Sequence, residues 1–366
     1  IMAPLFLIVL LACRGLASSA GEPTAVMRRV LLDDAFSTAV NARCLDGTRP
    51  AYYIRKASSS ANSSKFIVYF QGGGWCYTLS DCASRATGAL GSSSSYPPAA
   101  ASKGGIVDPD PARNPNFHDW NLVWVPYCDG TSWSGNQAKQ VPVGGGNTTT
   151  MLWYRGRANM QALVAALSRD QGMGAASDVL IDGGSAGGLT TLLHADFFRS
   201  QLPSSSSSSS STIIRFAAIG DAGWFRPEIT LDHKDYTKSM AIMHQVSNAT
   251  TNAGCMAHYA GKDPAACVFA PNVFPFLTSK MFILEGRYDS WQLANILGFP
   301  CASYWQRLNK CSRAQNATLE AYGSAMAASV NQALASTAHH QRTAGAFVSQ
   351  CIIHVQSAYN ENHDVW

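Results

Sequence analysis

The sequence predicts an α/β fold, with one mostly parallel sheet and helices on both of its faces. Two observations support this prediction. Short apolar runs typical of buried strands alternate along the chain with stretches whose apolar residues recur at helical spacing, and such alternation favours a parallel sheet. The apolar run 179–181 also leads through Gly183-Gly184-Ser185-Ala186-Gly187 into a helical pattern, which is the strand–turn–helix order of a nucleophile elbow.

Each predicted element has its own signal along the chain. Strands are expected at 51–54, 66–70, 122–127, 179–181, 213–219, 281–284 and 346–348, and residues 30–32 carry a shorter apolar alternation. Helices are expected over 157–167, directly after Ser185, and within 293–338. Residues 79–103 are Ser/Ala/Pro-rich and predict a surface excursion, the serine run 204–211 predicts a surface loop, and residues 226–275 predict an insertion. Because no linker divides the chain, residues 21–366 are expected to form a single domain.

Composition and charge limit the classes of function. Of the 366 residues, 46% are hydrophobic and 14% are charged, which describes a globular chain with a sizeable core. The formal net charge of +4 is small and unclustered, so nucleic acid is not expected as a partner. A small positive net charge is compatible with an acidic polymer as substrate, but it does not indicate such a substrate. We expect a monomer.

The N-terminus predicts a secreted protein. An apolar run over residues 4–13 is followed by Ala17-Ser18-Ser19-Ala20, the pattern of a signal peptide at residues 1–20 that is cleaved after Ala20. The run is too short to span a membrane, so no membrane anchor is expected. Four sequons agree with secretion and N-glycosylation, at Asn62, Asn147, Asn248 and Asn316.

The cysteines predict disulfides formed in an oxidising compartment. The chain has 10 cysteines, and an odd number remains once Cys13 leaves with the signal peptide, which implies a free thiol or a partner outside the chain. Zinc is the competing interpretation, but no Cys-x-x-Cys or His-x-x-x-His spacing supports a metal site. Close spacing favours short disulfide loops for Cys76/Cys82, Cys255/Cys267 and Cys301/Cys311.

Ser185 is the candidate nucleophile, and its motif alone has two interpretations. Glycines on both sides let the backbone turn so sharply that the hydroxyl stands clear of the sheet. The alternative is a Gly-rich turn whose serine merely caps the following helix. A catalytic serine also needs a histidine base, a carboxylate that orients the base, and backbone N–H donors for the oxyanion.

His354 is the favoured base. It follows the last predicted strand and can therefore reach back over the edge of the sheet. The alternative is a partly buried structural histidine. The other histidines after Ser185 are less suited: His194 lies inside the elbow helix, His233, His244 and His258 lie in the insertion, and His339 with His340 is expected as a solvated pair at a polar helix end.

The acid has two candidates, because Asp289 and Asp221 each follow a predicted strand directly. The later position of Asp289 is favoured, whereas Asp221 stays open as an alternative whose Gly-rich turn suits the lining of a pocket. Either could instead be an N-cap or turn residue. For the oxyanion hole, Ala186 is expected to supply one N–H and the turn Gly73-Gly74-Trp75 another.

Longer motifs are specific in combination. They are Tyr69-Phe70-Gln71-Gly72-Gly73-Gly74-Trp75-Cys76, Tyr127-Cys128-Asp129-Gly130, Gly183-Gly184-Ser185-Ala186-Gly187-Gly188-Leu189 and Tyr288-Asp289-Ser290-Trp291-Gln292. In this combination the chain resembles the plant pectin acetylesterases from about Leu31 to its end. Animal Notum carboxylesterases share the same core pattern.

The resemblance implies an α/β-hydrolase fold and a secreted serine esterase of the plant cell wall. Its implied partner is acetylated pectin, from whose galacturonan it would release acetate through an acetyl-serine intermediate. No metal or organic cofactor is implied. Mapped by motif, the resemblance implies Ser185 as nucleophile, Asp289 as acid and His354 as base, with oxyanion donors at Gly74, Trp75 and Ala186.

The sequence departs from the plant pattern in three places. Family members usually have cysteine directly before the nucleophile and directly after the histidine, where this chain has Gly184 and Val355. One hypothesis is that those two cysteines pair in typical members and were lost together here. Family members also continue past Trp366 with a further helix and a cysteine-rich tail, so the chain is expected to be truncated there.

Two rival functions remain open from the sequence. A Notum-like lipid or protein carboxylesterase would need a deep apolar pocket rather than an open groove. A catalytically silent wall-binding homologue would keep the fold without the chemistry of Ser185.

Overall fold

The computed structural model describes residues 25–33, 39–102, 104–145, 149–203, 214–228, 230–231, 235–301, 311–336 and 339–358. Several sequence predictions lie outside the described residues: the signal peptide 1–20 with Cys13, the serine run 204–211, the sequon at Asn147, His233 and the chain end at Trp366.

A mixed sheet of nine strands organises the described part of the chain, in the order β11-β10-β9-β8-β3-β5-β2-β1-β4. Strands β5, β3, β8, β9, β10 and β11 run parallel, whereas β2, β1 and β4 add an antiparallel edge. A separate hairpin pairs β6 with β7. The strands are β1 (Ala25–Leu31), β2 (Ala51–Arg55), β3 (Lys65–Phe70), β4 (Ala99–Ser102), β5 (Asn121–Val125), β6 (Val141–Val143), β7 (Thr150–Leu152), β8 (Asp178–Gly183), β9 (Arg215–Asp221), β10 (Met281–Asp289) and β11 (Ala344–Ile353).

Helices connect the parallel strands. The α-helices of the described residues are α1 (Leu79–Ala86), α2 (Gly156–Asp170), α3 (Ala186–Gln201), α4 (Tyr236–Val246), α5 (Ala253–His258), α6 (Ala270–Val273), α7 (Ser290–Asn295), α8 (Arg313–Ala335) and α9 (His340–Thr343). Short 3₁₀ helices occupy Ser60–Asn62, Gly105–Val107, Met173–Ala175, Pro264–Val268 and Phe274–Phe276. None of the helices in these ranges combines the length and the apolar character needed to cross a bilayer.

Strand β3 shows that the sheet is buried on both faces, because its side chains alternate between two cores. Phe66, Val68 and Phe70 belong to the larger core, which includes apolar residues of α2, α3 and α8. Ile67 and Tyr69 belong to a second core that includes residues of the 3₁₀ helix Gly105–Val107. This burial explains why the central strands read as continuous apolar runs in the sequence.

The predicted strands are all present, but the prediction for residues 79–103 is wrong. This stretch contains helix α1 and strand β4. Helix α1 has few apolar residues, with only Cys82 and Ala86 buried, and it begins where the Thr78 side chain accepts the N–H of Asp81. Strand β4 is Ala-rich, and alanine has a low strand propensity, so pairing with β1 decides its conformation.

Disulfides close both short and long loops among the described residues. The three short pairs expected from spacing, Cys76–Cys82, Cys255–Cys267 and Cys301–Cys311, are confirmed. A fourth pair, Cys44–Cys128, closes a separation of 84 residues that spacing could not suggest. Of the two alternatives given by the odd cysteine count, the free thiol is wrong for the described residues, because none of their cysteines is free and Cys351 is also disulfide-bonded.

Candidate active site

The parallel strands bring the predicted site residues to one edge of the sheet, because their carboxyl ends lie side by side. The turn 72–75 follows β3, and Ser185 follows β8. Strand β9 ends at Asp221, strand β10 ends at Asp289, and His354 follows β11. Asp289 and Ile353 are register partners, so the last strand delivers the histidine next to the aspartate.

Ser185 occupies the sharp turn between β8 and α3 with φ 61° and ψ −124°, a conformation that non-glycine residues rarely adopt. A Cβ atom at Gly187 would lie 2.0 Å from the carbonyl oxygen of Phe70, and one at Gly183 would lie 2.4 Å from that of Gly187. The turn therefore requires both glycines. The Ser185 side chain makes no capping hydrogen bond to α3, so the helix-cap alternative is wrong.

His354 and Asp289 form a buried hydrogen-bonded pair. Nδ1 of His354 lies 2.7 Å from Oδ2 of Asp289, whose side chain is fully buried. Oδ1 of the same carboxylate accepts the backbone N–H of Gln292 at 2.7 Å and so caps α7. One oxygen thus caps α7 and the other contacts the histidine, and together the two contacts fix the orientation of the carboxylate, while the role of Asp289 as the acid stays a prediction.

The second nitrogen of the imidazole is the one that a base would use. Nε2 of His354 is buried and has no hydrogen-bond partner within the described part of the molecule. Because Asp289 holds Nδ1, a neutral imidazole would carry its proton there and leave Nε2 as an acceptor. The pair can therefore accept a proton at Nε2.

Arg85 of α1 binds the turn 72–75 through two hydrogen bonds. Its guanidinium donates to the carbonyl oxygens of Gly73 at 2.9 Å and of Trp75 at 3.1 Å. Gly74 has φ 67°, a left-handed conformation that glycine adopts without strain. Fixing the carbonyl of Gly73 fixes the peptide plane that carries the N–H of Gly74, and fixing the carbonyl of Trp75 restrains the next peptide, so the N–H of Trp75 lies between two held peptide planes.

Ser132 connects the two predicted halves of the oxyanion hole. Its hydroxyl accepts the indole N–H of Trp75 at 2.6 Å and donates to the carbonyl oxygen of Ala186 at 2.8 Å. Ala186 is the first residue of α3, so its own N–H has no partner inside the helix. Ser132 and Arg85 are supporting residues that the sequence analysis missed, since neither belongs to a recognised catalytic motif.

Asp221, the alternative acid, has a different position. Among the hydrogen bonds of the described residues it makes none to His354; instead its Oδ2 accepts the backbone N–H groups of Gln356 and Ser357. Its backbone carbonyl accepts the N–H of Ser185 at 2.9 Å. The structure thus pairs His354 with Asp289, whereas Asp221 forms hydrogen bonds with the segment after His354 and with the backbone of Ser185.

Buried carboxyl groups surround this region and repel one another. Burial raises the pKa of Asp221 to about 6, partly offset by its backbone hydrogen bonds. Burial, and then the charge of Asp221, hold the pKa of Asp182 well above its usual range. Burial and the charge of Asp289 do the same for the pKa of Glu285, whose carboxyl accepts the N–H of Trp224 at 2.9 Å. Glu285 and Asp182 therefore hold their protons more tightly than exposed carboxyl groups do.

The other histidines have structural positions. His194 is buried, as expected for packing, with Nε2 3.1 Å from the hydroxyl of Ser134, and burial lowers its pKa well below the usual value. The expectation of a solvated pair is wrong for His340, which is 2% exposed and contacts the carbonyl oxygen of Leu277 through Nε2 at 3.0 Å. Its short helix is polar, but it packs against the core through Phe274.

The two positions where family members usually carry cysteine lie in contact. A Cβ atom at Gly184 would be 2.7 Å from Cγ1 of Val355 and 2.7 Å from the hydroxyl of Tyr69. The pairing hypothesis stays a prediction, and this adjacency supports it because a disulfide needs side chains that face each other.

Aromatic side chains border the site. The Trp291 ring lies parallel to the His354 imidazole at 6.0 Å and meets the edge of Phe225 at 5.6 Å. Its Cζ2 would be 3.7 Å from a Cβ atom at Gly74. Trp291 therefore spans the space between the imidazole and the turn 72–75. Within the described ranges, no group of three or more His, Cys, Asp or Glu side chains is arranged to hold a metal ion.

Comparison with known proteins identifies the family. The sequence pattern of the pectinacetylesterases matches residues 22–365. The chain belongs to the pectinacetylesterase family. Pectin acetylesterase 5 of Arabidopsis thaliana is 30% identical over 330 residues, which cover 86% of this chain and 71% of the relative. Pectin acetylesterase 7 of the same plant is 31% identical over 333 residues, with 87% and 78% covered. The chain is therefore a carboxylic ester hydrolase.

A solved structure agrees on the fold. The Wnt deacylase Notum from Drosophila superposes with a TM-score of 0.75 at 22% sequence identity, over 92% of this chain and 87% of Notum. The expected α/β-hydrolase fold, with its large and mostly parallel sheet and its helices, is confirmed. At this identity the likeness concerns the fold alone.

Proposed function

We propose that this esterase removes O-acetyl groups from the galacturonan of pectin. The observation that carries the proposal is the His354–Asp289 pair, 2.7 Å between Nδ1 and Oδ2, at the same sheet edge as the elbow that holds Ser185. Membership of the pectinacetylesterase family supports acetylated pectin as the partner. The net charge of +4 is compatible with an acidic polymer.

The proposed reaction is a two-step acyl transfer. His354 takes the proton of Ser185 through Nε2 while the serine oxygen forms a bond to the acetyl carbon. The carbon–oxygen bond to the sugar then breaks, and His354 returns the proton to the sugar oxygen. Water then attacks the acetyl carbon while the same nitrogen takes its proton, the bond from that carbon to the serine oxygen breaks, and His354 returns the proton to Ser185 as acetate leaves. Asp289 orients the imidazole and stabilises its charged form.

The oxyanion of each tetrahedral intermediate is stabilised by backbone N–H groups. Gly74, Trp75 and Ala186 supply these donors, and each is worth about 2.7–4 kcal/mol of transition-state stabilisation. Arg85 and Ser132 support the proposal because they hold this backbone in place before substrate arrives, which avoids reorganisation during the reaction.

The acyl group is proposed to be short. Trp291 lies between the imidazole and the turn 72–75, with Phe225 against its edge. These rings narrow the space between the imidazole and the turn 72–75, which favours acetyl over a long lipid chain. Notum-like deacylation of lipidated proteins is the competing outcome.

The cellular setting belongs to the same proposal. Residues 1–20 would be removed as a signal peptide, and residues 21–366 would form one domain of a monomer that acts in the plant cell wall. The disulfides of the described residues support an oxidising compartment.

The test measures acetate released from acetylated pectin by the wild type and by Ser185→Ala. We expect release by the wild type and a loss of at least about 10³-fold in kcat for the variant. p-Nitrophenyl acetate and p-nitrophenyl palmitate give the acyl preference, and a faster reaction with palmitate refutes the acetylesterase. A fluorophosphonate probe that fails to label Ser185 in the folded wild type indicates a silent homologue instead.

A further inference from the structure

Asp221 is a buried carboxylate that the proposed reaction does not use. It lies at the end of β9, is 0% exposed, and its side chain is directed at the segment after the base. Its Oδ2 accepts the backbone N–H of Gln356 at 2.7 Å and also that of Ser357. These two residues follow His354 at a distance of two and three positions, so the carboxylate fixes the chain directly beyond the base.

The same residue also contacts the nucleophile turn. The backbone carbonyl of Asp221 accepts the N–H of Ser185 at 2.9 Å, and Gly184 forms a bridge with Asp221. Ala222 donates its N–H to the carbonyl of Leu284, which anchors the end of β9 to β10. One residue therefore connects the segment that carries the nucleophile with the segment that carries the base.

The segment after His354 needs such support. Strand β11 ends at Ile353, so the sheet ladder no longer holds the chain at the histidine. Val355 then adopts φ 65°, which is a strained conformation for a β-branched residue. Strained backbone persists only where surrounding contacts compensate for it. Backbone N–H groups bound to a carboxylate are among the stronger hydrogen bonds available for this purpose.

Several other titratable groups lie on the strands and the segment around Asp221. Asp182 lies on β8, Glu285 and Asp289 lie on β10, and His354 is the positive group when it is protonated. A buried carboxylate among other carboxyls is costly, and the sequence could have used an uncharged acceptor at this position. Its retention here is consistent with a requirement for two strong hydrogen bonds.

We propose that Asp221 is a positioning residue that sets the distance and orientation of His354 relative to Ser185. It acts through the backbone of residues 356–357 and touches neither substrate nor the reacting atoms. This inference rests on the proposed roles of Ser185 and His354. Misplacing a base by about 1 Å can cost about 10²-fold in rate.

The test compares Asp221→Ala, Asp221→Asn and a matched control, Asp196→Ala. Asp196 on α3 also accepts two backbone N–H groups, those of Thr278 and Ser279, but it holds a loop away from the site. With p-nitrophenyl acetate we expect kcat to fall about 10²-fold in Asp221→Ala, with KM changed less than threefold. Asp221→Asn keeps an acceptor oxygen and should recover kcat to within about tenfold of the wild type. Asp196→Ala should keep the wild-type kcat.

Hydrogen exchange read by mass spectrometry gives a second measurement that does not need activity. The amides of residues 354–358 should exchange faster in both Asp221 variants and at the wild-type rate in Asp196→Ala. Wild-type kcat in folded Asp221→Ala overturns the inference. If Asp221→Ala does not fold, wild-type exchange of residues 354–358 in Asp221→Asn overturns it. A wild type that hydrolyses no ester refutes the proposed function instead, while exchange still reports on the Asp221 contact.

Discussion

Ser132→Ala would remove a single hydroxyl that contacts both halves of the proposed oxyanion hole. In the structure this hydroxyl accepts the indole N–H of Trp75 at 2.6 Å and donates to the carbonyl of Ala186 at 2.8 Å. Ser132 is 0% exposed and Trp75 is 3% exposed. The indole N–H left behind by the substitution is therefore buried without its partner.

The expected size of the effect follows from these contacts. A buried donor left without a partner costs about 1–3 kcal/mol, so the free energy of unfolding should fall by about 2 kcal/mol. Complete loss of one oxyanion donor slows a reaction by about 10²–10³-fold. Because Trp75 is displaced rather than removed, we expect kcat for p-nitrophenyl acetate to fall about tenfold, equivalent to about 1.4 kcal/mol. KM should change little, since the donors act mainly on the transition state.

Thr190→Val is the matched control for this prediction. The hydroxyl of Thr190 donates to the same Ala186 carbonyl at 2.8 Å and has no contact with the Trp75 indole among its hydrogen bonds. We expect a loss of about 1 kcal/mol in the free energy of unfolding and a kcat within about twofold of the wild type. Urea denaturation and steady-state kinetics measure both quantities. If Ser132→Ala loses stability but keeps its kcat, Ser132 is a purely structural contact and the argument from the Trp75 backbone is wrong.

Three further predictions concern stability. Gly187→Ala should prevent folding, because the added Cβ would lie 2.0 Å from a backbone oxygen, whereas Gly145→Ala, whose Cβ would meet no described residue within 4 Å apart from its chain neighbours, should fold with wild-type circular dichroism. Burial raises the pKa of Asp129 to about 6, so between pH 4 and pH 6 the native state keeps a proton that the unfolded state has lost. The free energy of unfolding should therefore decrease as the pH rises from 4 to 7. This decrease should be larger in the wild type than in Asp129→Asn by about 2–3 kcal/mol. Replacing Cys44 and Cys128 by serine should lower the free energy of unfolding by about 4 kcal/mol, since this disulfide closes 84 residues.

Each of these predictions has a contradicting result. A folded Gly187→Ala protein would show that the elbow tolerates a side chain and that its backbone differs from the structure. If the free energy of unfolding depends on pH in the same way in the wild type and in Asp129→Asn, the carboxyl of Asp129 is not protonated in the native state at pH 4–6. An unchanged denaturation midpoint in the double serine variant would mean that the reduced chain is equally ordered in this region.

The sequence predicted the elements whose signals are local. Continuous apolar runs identified β3, β8 and β10, because strands buried on both faces need apolar residues at every position. Strand β4 was missed because its conformation depends on pairing with β1, which lies about 70 residues earlier. Helix α1 was missed because it is mostly polar and buries only two small residues, Cys82 and Ala86, within a Ser/Ala-rich stretch.

The residues of the candidate site also differ in whether a local sequence signal predicts them. Ser185, Asp289 and His354 could be predicted because each follows a strand in a fixed order, and the structure brings the last two into contact. The supports of these residues could not be predicted. Arg85 reaches backbone carbonyls that precede it by 10 and 12 positions, and Ser132 contacts residues 54 and 57 positions away, so their roles depend on tertiary structure rather than on any motif.

The two substitutions at Gly184 and Val355 relative to the family pattern give a last prediction, which concerns how the nucleophile and the base are held together. Gly184 and Val355 face each other at contact distance, so the double variant Gly184→Cys, Val355→Cys should form a disulfide detectable by mass spectrometry of linked peptides. That bond would join the same two segments that Asp221 connects by hydrogen bonds. If the disulfide and the Asp221 hydrogen bonds both maintain the spacing of Ser185 and His354, Asp221→Ala should reduce kcat much less in the cystine variant than in the wild type, because effects of coupled contacts are not additive. Equal losses in the two backgrounds would show that Asp221 acts on something other than the spacing of Ser185 and His354.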